Sequence, residues 1–170
     1  MRLIFLFLTL LSLNNQSFSQ QNNKALGIWQ AYLNGKPLKA SDIGMPGGKA
    51  ANFLIHYVFT KEACFMTVTI NRTSISKNNI ATLKKNAMND RTIMNGFAAE
   101  GTYSTFEKID DMPDELKSKF EDITYSEGMF FIEGNILNNP SSFYFNPKDS
   151  KLKGLNKDNI LELIKVAPSW

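Results

Sequence analysis

A single histidine, a single cysteine and a scatter of carboxylates supply most of the reactive side chains in this 170-residue sequence. His56 and Cys64 fall in two neighbouring strand-like segments, 53–59 (FLIHYVF) and 64–73 (CFMTVTINRT), that flank Thr60, Lys61 and Glu62. If those three residues form the loop, Phe59 pairs with Ala63 and His56 with Met66. Cys64 then lies diagonal to His56 on the same face, within reach of long side chains. A cysteine–histidine pair can generate a thiolate nucleophile. The competing reading is a satisfied histidine beside a small buried thiol, and a two-residue loop would turn the two groups to different faces. A Ser/His/Asp triad would depend on the same His56, and no Gly-X-Ser-X-Gly elbow accompanies it.

Two acids stand out. Glu107 follows Tyr103 and Thr105 in a strand-like pattern, and Glu133 follows Met129 and Phe131. Facing inward, either carboxyl would sit in apolar surroundings with a raised pKa and could act as an acid or a ligand anchor. Facing outward, or at a strand end, it would simply be solvated. Asp110, Asp111, Asp114 and Glu115 offer hard oxygen donors, but without EF-hand spacing or its glycine, and capping of a helix start accounts for them. Zinc or haem would need more histidine or cysteine than the chain has, so no metal or cofactor is expected. The run Gly44-Met45-Pro46-Gly47-Gly48-Lys49 lacks phosphate-loop spacing and has Ala50 where a serine or threonine is required, so it reads as a mobile loop. Asn71-Arg72-Thr73 fits a glycosylation acceptor, to which a leader of bacterial type gives no weight.

The elements that must position these groups begin after an export signal. Arg2, the apolar run 3–13 and the small residues Ser17 and Ser19 predict a signal peptide over 1–19 and a mature domain over 20–170. The apolar run is shorter than the roughly 20 helical residues a bilayer span needs, so no integral membrane contact is expected. Only Cys64 could take a lipid, and it lies too deep in the chain, so a secreted or periplasmic location is expected. One cysteine cannot close an internal disulfide, and stability must come from a core. The full chain is 43% hydrophobic and 21% charged, and removing Arg2 with the leader leaves it nearly neutral, with no electrostatic footprint for nucleic acid.

Residues 26–33 (LGIWQAYL) read as a strand closed by the turn Asn34-Gly35. After the 53–59 and 64–73 hairpin, Ile80, Leu83 and Ala87 recur at helical spacing within 77–89. Residues 101–109 return to period two. Asp111-Met112-Pro113-Asp114-Glu115 reads as a helix start with Asp111 as a cap, followed by Met112, Leu116 and Phe120 on one face. Further strands are expected over 128–132, 142–145, 152–155 and 160–166, with a tight reversal at 146–150. About eight short strands with two helical interruptions predict a mainly β chain, all-β to α+β, folded as an antiparallel up-and-down barrel.

Gly27-Ile28-Trp29 on the first mature strand is similar to the Gly-X-Trp signature of lipocalins. The hairpin around Tyr57-Val58-Phe59 and Phe65-Met66-Thr67, then Gly101-Thr102-Tyr103-Ser104, then a closing 161–166 (LELIKV), resembles small secreted bacterial lipocalin-like (calycin-type) domains over most of 26–166. The resemblance implies a barrel with Trp29 packed at its closed end under a basic side chain of the last strand, for which Lys165 is the match. The insertions 74–100 and 111–122 depart from a plain barrel, and either forms a lid or marks another α+β arrangement.

An eight-stranded barrel either fills with side chains or holds one small ligand. The aromatic supply of its strands leads to three expectations. The first is a cavity for a small apolar or aromatic ligand, lined by Phe53, Tyr57, Phe65 and Tyr103, with 41–50 and 74–100 at its mouth. The second is an inhibitor or immunity-type protein with a filled barrel, binding a secreted protein partner through loops. The third is a cavity enzyme using Glu107, Glu133 or His56. An open interior favours the first and a filled interior the second. Trp170 at the chain terminus suggests docking of residues 168–170 on the barrel.

Overall fold

A computed structural model describes residues 24–44, 49–87, 96–136, 139–156, 158 and 160–168. The expected signal peptide over 1–19, residues 45–48 of the glycine-rich loop and Trp170 lie outside the described residues. The chain is mainly β. Its strands are β1 (Gly27–Leu33), the two-residue β2 (Lys36–Pro37), β3 (Leu54–Phe59), β4 (Cys64–Thr69), β5 (Phe97–Phe106), β6 (Phe131–Ile136), β7 (Asn139–Asn146), β8 (Lys151–Gly154) and β9 (Leu161–Ala167). Every pairing is antiparallel, and β1 pairs with both β3 and β9, so eight strands close into a barrel with β2 added beside β1. Closure gives each of the eight strands a partner on both sides and removes open edges.

Local chemistry explains most of the turns. Asn34 and Gly35 take positive φ of 51° and 77°, the combination a tight hairpin turn needs after β1. Gly27 is required for a different reason. Its φ is +130°, and a Cβ there would stand 2.4 Å from the Ala167 carbonyl oxygen across the β1–β9 seam. The glycine of the Gly-X-Trp tripeptide thus lets the first and last strands approach closely enough to close the barrel.

The hairpin of β3 and β4 departs from the three-residue loop. Thr60 N–H donates to the Ala63 carbonyl at 2.9 Å, and the Thr60 hydroxyl accepts from Ala63 N–H at 3.0 Å, leaving only Lys61 and Glu62 in the loop. Phe59 therefore pairs with Cys64, Tyr57 with Met66, Val58 with Phe65, and His56 with Thr67. Because side chains alternate faces, this one-residue slip turns Phe65 away from Tyr57 and separates Cys64 from His56. Ile55, Tyr57, Phe59, Cys64 and Val68 point into the barrel, whereas Val58 and Phe65 belong to a separate cluster on the outer wall.

The two insertions cover that outer wall. The first carries a 3-10 turn (Arg72–Ser74) and the helix α1 (Lys77–Ala87), whose N-terminus Ser76 caps through its hydroxyl, 3.3 Å from Asn79 N–H. Ile75 and Ile80 pack with Ile28, Val58 and Phe65, which is why β3 reads as an apolar run rather than an alternating one. The second insertion holds α2 (Asp114–Lys117), flanked by 3-10 turns, and buries Met112 and Phe120 against Met129 and Phe131. The residue before α2 is Pro113, which has no side-chain cap to give. Asp111 does not cap this helix, and Asp114 instead pairs with Lys117 at 2.9 Å. Strand β5 starts at Phe97, four residues before the expected point, because Phe97, Ala98 and Ala99 pair with β4.

Candidate functional site

Inside the barrel, aromatic rings meet one another. Tyr57 packs edge-on to Phe143 at 5.6 Å between ring centroids, Phe59 on Tyr103 at 5.1 Å, and Trp29 on Phe145 at 6.4 Å, while Phe130 stacks on Phe145 at 4.8 Å. Phe53, Tyr57, Phe130 and Phe143 are all buried. Edge-on and offset pairs at these distances add to burial rather than leaving room for a guest. The Tyr103 hydroxyl donates to the Thr60 carbonyl at 2.5 Å and ties the interior to the β3–β4 turn, and burial pushes its pKa up to about 12. Of the four residues expected to line a cavity, Phe53, Tyr57 and Tyr103 lie in the interior or pack against it, and Phe65 lies outside.

One end of the barrel is held by Trp29 and Lys165. The Lys165 ammonium lies 5.1 Å from the Trp29 ring centroid and donates to the Lys24 carbonyl at 2.9 Å, while the indole N–H donates to the Ala25 carbonyl at 2.8 Å. Burial pushes the Lys165 pKa down, and the ring face and the carbonyl compensate the cation for lost water.

The reactive candidates do not converge. Cys64 is buried inside, its thiol 3.5 Å from the Thr102 carbonyl, and burial pushes its pKa up to about 12, which leaves it a poor nucleophile. His56 points to the outer wall on the opposite face of the sheet. It is fully buried there, and neither ring nitrogen has a hydrogen-bond partner. Burial pushes its pKa down to about 4, the Leu54 backbone opposing this shift and the Arg72 charge adding to it. Glu133 is also on the outer wall, accepting from Lys119 at 2.6 Å and from the Ser142 hydroxyl, so its carboxylate is paired rather than placed in an apolar cavity. Glu107 is exposed, one residue past the end of β5. Among the described residues no group of three or more histidine, cysteine or acidic side chains gathers to hold a metal.

On the outside, a groove of about 790 Å³ lies between the β3–β4 turn and α1. Phe65 and Ala63 line it from β4 and the turn, Lys77 and Ile80 from α1, and Leu26 and Pro168 from the two ends of the described chain. Lys61 and Glu62 border it at the turn, and neither forms an ion pair among the described residues. Lys84 is engaged: it pairs with Glu100 and lies 5.9 Å from the Phe65 ring centroid. The groove is thus apolar in its body and charged at its borders, the composition a small amphipathic molecule needs. Sequence reasoning missed it because the site exists only once Phe65 faces outward. The available signal was α1, whose apolar Ile80 and Leu83 had to cover something outside the barrel.

Comparison with protein-family models, with curated proteins and with solved structures found no match.

Proposed function

We propose that this chain is an exported, lipocalin-like binding protein whose small apolar or aromatic ligand sits in the outer groove rather than within the barrel. The observation that carries this reading is the division of space: interior rings contact one another, and the groove beside α1 offers apolar surface with charged borders. The Gly27-Ile28-Trp29 tripeptide, the Lys165 contact on Trp29 and the eight-stranded closure support the lipocalin-like part of the proposal. The ring-to-ring contacts inside the barrel also favour a second reading, an inhibitor or immunity-type protein whose loops hold a secreted partner.

The test uses 1-anilinonaphthalene-8-sulfonate, an aromatic anion, at pH 7.5. Ala63→Trp fills the groove and should weaken binding at least roughly tenfold, whereas Tyr57→Phe, inside the barrel, should leave it unchanged. Unchanged binding to Ala63→Trp would exclude the groove as the site. Native mass spectrometry of protein from its own host then separates the two readings: a retained small molecule supports the first. A bare mass, together with a partner crosslinked through Lys61, supports the second.

A further inference from the structure

The outer wall holds a group that the groove does not use and the fold does not satisfy. His56 stands between Gln30 of β1 and Thr67 of β4, with zero exposure and no partner on either ring nitrogen. The Thr67 hydroxyl, the nearest polar side chain on β4, donates to the His56 backbone carbonyl at 3.4 Å rather than to the ring. A buried polar group left unpaired is expensive, on the order of 1–3 kcal/mol, and a buried charge without a counter-ion more so.

The segment that leads into α1 packs on the same outer wall. Arg72, in the 3-10 turn after β4, donates to the Val166 carbonyl of β9 at 3.4 Å. The strands run in the order β4, β3, β1, β9 around this part of the wall, so the segment after β4 reaches over β3 and β1 to make this bond. Ile75 follows and packs on Val58, two residues from His56 on the same face. Two and five residues beyond Ile75 come Lys77 and Ile80, which form one wall of the groove. Arg72 is the one charged side chain acting on the imidazole, and its sign repels an added proton. Gln30 and Thr67 are neutral.

We propose that His56 is an acid-sensitive latch: neutral, it lets residues 71–87 close over the outer wall, and protonated, it drives that segment off and opens the groove. The regulatory role rests on the groove reading above; the latch itself does not. Protonation adds a charge to a buried ring that the Leu54 backbone favours only in part and the Arg72 charge opposes, so the charged ring gains by reaching water. The route to water is displacement of the segment that carries Arg72, which is held by that long hydrogen bond, by the packing of Ile75 and Ile80 and by the Lys84–Glu100 pair. The eight-stranded closure beneath it remains.

The experiment is amide hydrogen exchange of the ligand-free chain between pH 7.5 and pH 5, corrected for intrinsic rates. Protection at Ile75, Ile80 and Leu83 should fall roughly 30-fold, the linkage of a group that titrates near 6.5 when open and about 4 when closed. Protection at Ile55, Val68 and Ile132, which exchange through global unfolding, should fall by a similar factor because the unfolded chain is protonated too, but should stay above that at 75–83 at both pH values. In His56→Leu the fall at 75–83 should vanish. Unchanged protection in the native chain, a fall that persists in His56→Leu, or amides at 75–83 no less protected than the barrel amides would each overturn the latch. Should His56→Leu not fold, His56→Gln gives the same comparison with a polar side chain that cannot titrate. Loss of anilinonaphthalenesulfonate binding to Ala63→Trp at pH 7.5 reads the groove alone, so the two proposals fail separately.

Discussion

The inner and outer faces of β3 and β4 are built from the same two strands and are both buried, yet they are buried differently. On the inner face Ile55, Tyr57, Phe59, Cys64 and Val68 meet side chains from across the barrel, and the polar atoms of Tyr103 and Cys64 find backbone carbonyls. On the outer face Val58 and Phe65 are covered by one inserted segment, and His56 beside them is left without a partner. A closed sheet can only be opened by breaking the ladder, whereas a segment laid over it can leave locally. Stability therefore belongs to the inside, and whatever moves belongs to the outside.

The largest effect should come from attacking the inner face. Trp29→Ala removes the ring beneath Lys165 and beside Phe145, and should lower unfolding free energy by about 3–5 kcal/mol in urea, or prevent folding. A loss under about 1 kcal/mol would mean that the closed end is not a packing centre.

The next effect sharpens the comparison through pH. His56 binds a proton less readily folded than unfolded, since burial pushes its pKa from 6.5 to about 4. The unfolded or opened state binds more protons in this window. Its contribution is therefore fully present above pH 6.5 and is lost as pH falls toward 4, by about 2 kcal/mol at pH 5. Urea titrations at pH 7.5 and pH 5 should show this loss in the native chain and not in His56→Leu; equal losses would assign it to other groups.

Lys165→Met keeps the stem over Gly27 but removes the cation above Trp29, and should cost about 0.5–2 kcal/mol by the same measurement. The smallest change belongs to the outer acid. Glu133→Gln loses a half-exposed pair with Lys119 and should shift stability by less than about 1 kcal/mol. A loss as large as that of Trp29→Ala would show Glu133 to be part of the core after all.

Much of this fold was legible from residue order. The β1 turn at Asn34-Gly35, the helix with Ile80 and Leu83, and Met112 with Phe120 on one buried side follow from turn chemistry and helical spacing. The candidate site was not. Phe65 was assigned to the interior because a three-residue loop and a two-residue loop are equally compatible with Thr60-Lys61-Glu62-Ala63, and the choice between them changes every face assignment in β4. The pairing of Glu133 with Lys119 and Ser142 was hidden for a similar reason, since those partners come from an insertion and from β7.

The sequence by itself determined that this chain forms short antiparallel strands with two helical interruptions, because alternation, turn residues and helical spacing are local properties that act over a few residues. Which side chains meet inside the barrel, and which are turned outward under α1, was decided only by the tertiary structure. The side-chain period of a strand is two, so a slip of one residue leaves the local pattern intact and exchanges the faces. Only simultaneous pairing of β3 with β1 and β4 with β5, together with closure of β1 on β9, selects one register.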